Sequence, residues 1–192
     1  MASPAEKNQK FTYGDYLEWT DEERWELING EAFNITPTPP RRHQDVLMAL
    51  ASKFYNFLED KSCEVYVAPF DVRLPEADQP EKDITTVVQP DLTVVCDPTK
   101  LDDKGCLGTP DLIVEIVSPS TAARDYIEKL ALYERRLVPE YWIVHPTDKT
   151  AKVFQLNARR EYRKPRIYAG ADQIPVGLFP DLIVDLKEVF RD

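Results

Sequence analysis

Residues 111–117 read Asp-Leu-Ile-Val-Glu-Ile-Val, the most apolar run in the chain, with a carboxylate inside it. A near-continuous apolar run of this length predicts a central strand covered on both faces. Strand alternation puts Ile113, Glu115 and Val117 on one face. An ionised Glu115 among such neighbours is costly unless it is paired or metal-bound. The plainer reading is a Glu near the strand's end that reaches water, and the two apolar residues on its face weigh against it. Perturbed carboxylates mark functional sites, so Glu115 is the first candidate.

Upstream, Val87 to Cys96 reads as a strand entered through Gln89-Pro90-Asp91. Pro90 fixes the backbone and removes an amide donor, which holds Asp91 at the strand mouth. Asp91 alone reads equally well as a local turn residue. Two acids on strands separated by one connection can meet on adjacent sheet positions, and Mg²⁺ needs only one or two carboxylates with water and phosphate. Asp111 reads as a strand-entry cap close enough to Glu115 to be a third acid. Downstream, Ser118-Pro119-Ser120-Thr121 ends the strand and caps a helix over 122–137 with an apolar stripe of Tyr126, Leu130, Tyr133 and Leu137. Lys129 falls about 60° to one side of that stripe, where a long side chain can curl toward the sheet. The competing role for Lys129 is a solvated i, i+4 pair with Asp125.

Farther out, Thr12 caps a short helix over 13–19, and Trp25 to Ile35 forms a hairpin around Asn29-Gly30. After Pro37 to Pro40 an amphipathic helix spans 43–59, followed by a strand over 64–74 and a mobile polar loop over 75–82. A strand at 141–144, an outer hairpin over 152–156 and 161–168, an apolar run at 182–184 and a helix over 186–190 complete the chain. This order predicts an α/β fold: a mixed sheet flanked by helices, as one domain over 11–192 behind a flexible 1–10 segment.

The net charge of −10 runs against nucleic-acid binding, which draws affinity from basic surface. Local exceptions are Arg41-Arg42-His43 with Gln44, and the group Arg159, Arg160, Arg163, Lys164 and Arg166. Cys63, Cys96 and Cys106 match no zinc spacing, and their odd number argues against a disulfide framework; reduced thiols and a cytoplasmic location are expected. The first ten residues lack the apolar core of a signal peptide, and no apolar stretch approaches a membrane span. No Gly-rich phosphate loop, His-x-x-x-His or Gly-x-Ser-x-Gly elbow occurs, which removes support for hydride transfer, nucleotide-triphosphate hydrolysis and serine hydrolysis.

Five motifs in sequence carry a resemblance: Trp-Glu-Leu-Ile-Asn-Gly-Glu at 25–31, Gln-Pro-Asp-Leu at 89–92, Leu-Ile-Val-Glu-Ile-Val-Ser-Pro-Ser-Thr at 112–121, Asp125-x-x-x-Lys129-x-x-x-Tyr133, and Val-Pro-Glu-Tyr-Trp-Ile-Val at 138–144. Together they resemble the Uma-two family of restriction-endonuclease-like proteins in the PD-(D/E)XK superfamily, over about Phe11 to Phe190. The resemblance implies a restriction-endonuclease-like core with an added N-terminal hairpin, a Mg²⁺- or Mn²⁺-dependent endonuclease acting on DNA (RNA left open), and a homodimer. It carries Asp91 and Glu115 onto the two acidic positions, with Glu31 as a further metal ligand and Glu26 as its competitor. The superfamily lysine two residues beyond the second acid is replaced by Val117, and the family pattern moves that role to Lys129. The alternative is a non-catalytic nucleic-acid or protein-binding module that keeps the fold with a vestigial site.

Overall fold

Thr12 opens the first element with a reciprocal cap: its hydroxyl oxygen accepts from the Asp15 amide, and the Asp15 carboxylate accepts from the Thr12 amide. The resulting turn is α1 (Tyr13–Tyr16). The computed structural model describes residues 9–20, 23–35, 39–118 and 123–191. Hairpin β1 (Trp25–Ile28) and β2 (Glu31–Asn34) forms as expected, because Asn29 (φ 51°) and Gly30 (φ 79°) both take the left-handed conformation a two-residue turn requires. The long helix α2 (Arg41–Leu58) starts two residues before the predicted point and buries Val46, Leu47, Leu50, Phe54 and Leu58.

The predicted strands over 64–74 and 87–96 are each two strands, which corrects the sequence reading. The first divides into β3 (Glu64–Val67) and β4 (Val72–Arg73), the second into β5 (Val87–Val88) and β6 (Leu92–Val95). Both breaks carry a proline, Pro69 after a cis bond and Pro90, and a proline cannot donate to a ladder. At each break the chain crosses from one sheet to another.

The remaining strands are β7 (Leu101–Asp102), β8 (Gly105–Leu107), β9 (Leu112–Ile116), β10 (Glu140–His145), β11 (Thr150–Gln155), β12 (Arg166–Ala169), β13 (Gln173–Pro175) and β14 (Ile183–Asp185). Helix α3 (Leu130–Arg135) precedes β10, and α4 (Leu186–Val189) follows β14. The first sheet runs β2-β1-β5-β4-β8-β7 and the second β12-β11-β10-β9-β6-β3, while β13 and β14 pair separately. At Gly105 (φ 120°) a Cβ would stand 2.3 Å from the Asp71 carbonyl oxygen, so β8 reaches β4 only without a side chain there.

β9 is central in its sheet and all five of its residues are buried, as the apolar run predicts. One face of that sheet packs on α2 and α4 through Leu92, Leu112, Val114, Ile116 and Trp142. The other face, with Ile113, Val117, Tyr141 and Ile143, packs on α3 and on the first sheet through Tyr133, Ile28 and Val88. Within the 75–82 segment, the loop is tied by the Arg136 guanidinium to the Pro75 carbonyl and ends in a 3-10 turn over Glu81–Asp83. The outer hairpin pairs β11 with β12, and Glu161 to Pro165 is its connection rather than strand.

Two further expectations change. Residues 124–129 of the predicted helix form a π-turn, wider than α, before α3 begins. Its N-terminal cap at 119–121 lies outside the described residues. The cysteines are not all reduced: the β3–β6 register pairs Glu64 with Val95, which sets Cys63 opposite Cys96, and the two form a disulfide. Cys106 stays free and buried, its thiol pushed up to about 11 by burial. The bridge removes reduced thiols as support for a cytoplasmic location. Among the described residues no helix is long and apolar enough to cross a membrane.

Candidate active site

Strand alternation sends the Glu115 side chain to the face shared with α3 and the first sheet, where it is buried. The pairing of Leu92 with Val114 sets Asp91 alongside Glu115, and Asp91 Oδ2 accepts the Ile116 amide at 2.7 Å. The Asp91 side chain keeps 19% exposure, so it lies at the rim of the cluster.

The π-turn settles Lys129. By ordinary helical geometry it sits on the border of the apolar stripe; the wider turn instead buries both Asp125 and Lys129 and leaves Ile127 exposed. Lys129 Nζ donates to Glu115 Oε1 and to Glu26 Oε1, each at 2.8 Å. Asp125 Oδ1 is 3.9 Å from the same nitrogen, too long for a hydrogen bond, so the i, i+4 pair is the lesser contact. Tyr133, read from sequence as part of the apolar stripe, donates its hydroxyl to Glu115 Oε1 at 2.9 Å.

Glu26, and not Glu31, enters this cluster. β1 alternation directs Glu26 inward at 1% exposure, whereas Glu31 is 64% exposed and paired with Lys10. Like Glu115, Glu26 is a carboxylate inside an apolar run, Trp-Glu-Leu-Ile at 25–28. Glu26 Oε1 also accepts the Gln89 amide at 2.8 Å, and among the described residues Glu26 Oε2 is buried without a partner. The Gln89 side chain is itself held by Arg24, Asp71 and Tyr16. Asp111 is spent elsewhere: its carboxylate accepts the Cys96 amide at 2.7 Å. Of the proposed nucleic-acid contacts, Arg41, Arg42 and Gln44 are exposed on the first turn of α2, and His43 is buried against Asp91.

The electrostatics follow from one cation among four acids. Burial drives the Glu115 carboxyl well above its ordinary range; Lys129 opposes this, and Asp125, Asp91 and Glu26 add to it. Burial alone would lower Lys129, but Glu115, Glu26 and Asp125 together hold it above its ordinary value, so the ammonium stays charged. Tyr133 is raised by burial and by Glu115, which keeps it a donor. The cluster therefore retains excess negative charge in a low-dielectric setting, a demand that protons or a further cation satisfy.

Among the described residues, no three His, Cys, Asp or Glu side chains close on one point tightly enough to hold an ion by themselves. A hard cation such as Mg²⁺ requires fewer, keeping waters and one or two carboxylates. The adjacent Asp91 and Glu115, the charge excess and the orphaned Glu26 oxygen fit such an ion.

The chain is 25% identical over 158 residues to the uncharacterised protein slr1290 of Synechocystis sp., covering 81% of this chain and 79% of that one. Its fold matches a crystal structure from Anabaena variabilis described as "a putative nuclease belonging to DUF820", with a TM-score of 0.74, 16% identity, and coverage of 94% of this chain and 97% of that one. The likeness confirms a mixed α/β, nuclease-like fold. The profile of the Uma2 family, described as "Putative restriction endonuclease", matches residues 13–187, and the chain therefore belongs to that family.

Proposed function

We propose that the protein is a divalent-metal-dependent endonuclease that hydrolyses phosphodiester bonds in DNA. The observation that carries this reading is the buried meeting of Glu26, Glu115 and Asp125 on the Lys129 ammonium, with Asp91 alongside at the rim. Asp91 and Glu115 would hold Mg²⁺ or Mn²⁺, with Glu26 near enough to join. When bound, the ion lowers the pKa of a water and offsets phosphate charge.

The protein's own groups do the rest. Lys129 spends two of its three N–H donors on Glu26 and Glu115, which fixes its position, and the third serves a phosphoryl oxygen or the attacking water. Tyr133 holds Glu115 Oε1 and so limits rotation of that carboxylate. The water oxygen bonds to phosphorus and releases one proton to solvent, the phosphorus–oxygen bond on the 3′ side breaks, and the 3′ oxygen takes one proton from a solvent water. Arg41 and Arg42, exposed on the first turn of α2 beside His43, supply cationic contacts for the backbone. A homodimer would supply the two sites a double-strand break needs.

A non-catalytic binding module is the second reading, favoured by the net charge of −10 and by Val117 where the superfamily lysine would stand. Mn²⁺ calorimetry and plasmid nicking separate the two. The nuclease reading expects Mn²⁺ binding and Mg²⁺-dependent nicking by the wild type, with nicking lost in Glu115→Gln at unchanged circular dichroism. Nicking at the wild-type rate by Glu115→Gln refutes it.

A further inference from the structure

We infer that His43 is a positioning residue for Asp91: it donates Nε2–H to the carboxylate and thereby fixes which oxygen is offered to a divalent cation. This rests on the metal-dependent reading of the site and assigns a role to a residue that touches neither Glu115 nor Lys129.

His43 is the third residue of α2, and its amide is bonded to the Pro40 carbonyl at 2.9 Å, so the helix is already formed there. Helical spacing places it on the same face as Val46, Leu47 and Leu50, which points the imidazole inward at 6% exposure. Its Nε2 stands 3.2 Å from Asp91 Oδ2. That oxygen also accepts the Ile116 amide at 2.7 Å. An ionised carboxylate only accepts, so Nε2 carries the proton of this bond.

His43 Nδ1 is buried and has no hydrogen-bond partner among the described residues. The ring therefore makes one polar contact, and it is with Asp91. Burying an imidazole with half its hydrogen-bonding capacity unmet costs free energy that Leu or Phe at the same position would avoid. Packing does not account for His43; its bond to Asp91 does.

Two donors on Oδ2 engage that oxygen and leave Oδ1 to face a ligand. The donors come from different layers. Ile116 belongs to the sheet, and His43 to the helix on the sheet face opposite Glu115. Asp91 lies at the strand mouth beside Pro90, where ladder bonding is interrupted. The His43 bond adds a second restraint on the Asp91 side chain to that of the Ile116 amide. Partners of this outer kind change metal affinity about 10- to 100-fold when removed.

The test measures Mn²⁺ affinity by calorimetry on the full chain as wild type, His43→Ala and His43→Gln, with circular dichroism melts to confirm folding. Gln offers an amide N–H near the place of Nε2. His43→Ala is expected to weaken Mn²⁺ about 10- to 100-fold, and His43→Gln to recover most of it. A second readout needs no metal: ¹⁵N spectra of the His43 imidazole should show the Nε2-protonated tautomer in wild type and a mixture in Asp91→Ala. Wild-type Mn²⁺ affinity in His43→Ala, or an unchanged tautomer in Asp91→Ala, overturns the positioning role and leaves the nuclease reading standing. A wild type that binds no Mn²⁺ overturns both.

Discussion

Replacing Lys129 with Met keeps most of the side-chain volume and removes the cation from the cluster. Lys129 is 4% exposed, with two carboxylates at 2.8 Å and a third at 3.9 Å. Removing one partner from a buried ion pair costs about 3–5 kcal/mol, because the other charge stays buried and uncompensated. Against a total stability of about 5–15 kcal/mol the protein remains folded in most of that range. For a chain of this size each kcal/mol moves the Tm by about 2–4 °C, so Lys129→Met should melt about 6–20 °C lower at pH 7. The loss should shrink on acidification, because protonating Glu115, whose carboxyl burial already holds above its ordinary range, removes the repulsion the ammonium had offset. Adding Glu115→Gln to Lys129→Met should recover part of the stability, a coupling that a double-mutant cycle measures by urea unfolding. A Lys129→Met protein that melts within about 1 °C of wild type at both pH 5 and pH 8 refutes the buried-cluster account.

Other outcomes test neighbouring parts of the structure. The folded Glu115 carboxyl lies above its unfolded value, so its contribution to stability is present at low pH and is lost as pH rises through the folded value. At one fixed Mn²⁺ concentration the Tm should therefore rise more at pH 7.5 than at pH 5; where that concentration is 100 times the Kd the stabilisation is about 2.7 kcal/mol, or about 5–11 °C, and equal shifts at both values refute a carboxylate site. Glu26→Gln should weaken Mn²⁺ binding, whereas Glu31→Gln should leave it unchanged and cost less than about 1 kcal/mol, since the Lys10–Glu31 pair is solvent-exposed. Denatured, unreduced protein should show one titratable thiol, Cys106, and reduction of Cys63–Cys96 should lower stability by about 3–4 kcal/mol; three titratable thiols before reduction refute the bridge.

The sequence was legible where local chemistry decided the structure. The Thr12 cap, the Asn29-Gly30 turn, the α2 face and the central β9 each follow from short-range pattern. The strands over 64–74 and 87–96 misled because their apolar character is continuous while their sheet membership is not; Pro69 and Pro90 marked the crossings, but which sheet receives each half is a tertiary matter. Lys129 was ambiguous for a similar reason: a stripe at 3.6-residue spacing presumes an α-helix, and the π-turn departs from it. Glu26 could have been preferred to Glu31 from its apolar neighbours alone. Cys63 and Cys96 could not have been paired without the β3–β6 register.

The two proline crossings also govern how the cluster comes into being. Glu26 arrives from one sheet and Glu115 from the other, and the residues bonded by Lys129 lie 103 and 14 positions away along the chain. Closing so long a loop is slow and late, because its entropy must be spent before any contact repays it. A nascent or half-folded chain thus lacks the assembled cluster, and the Lys129 ammonium meets both carboxylates only once the two sheets have come together.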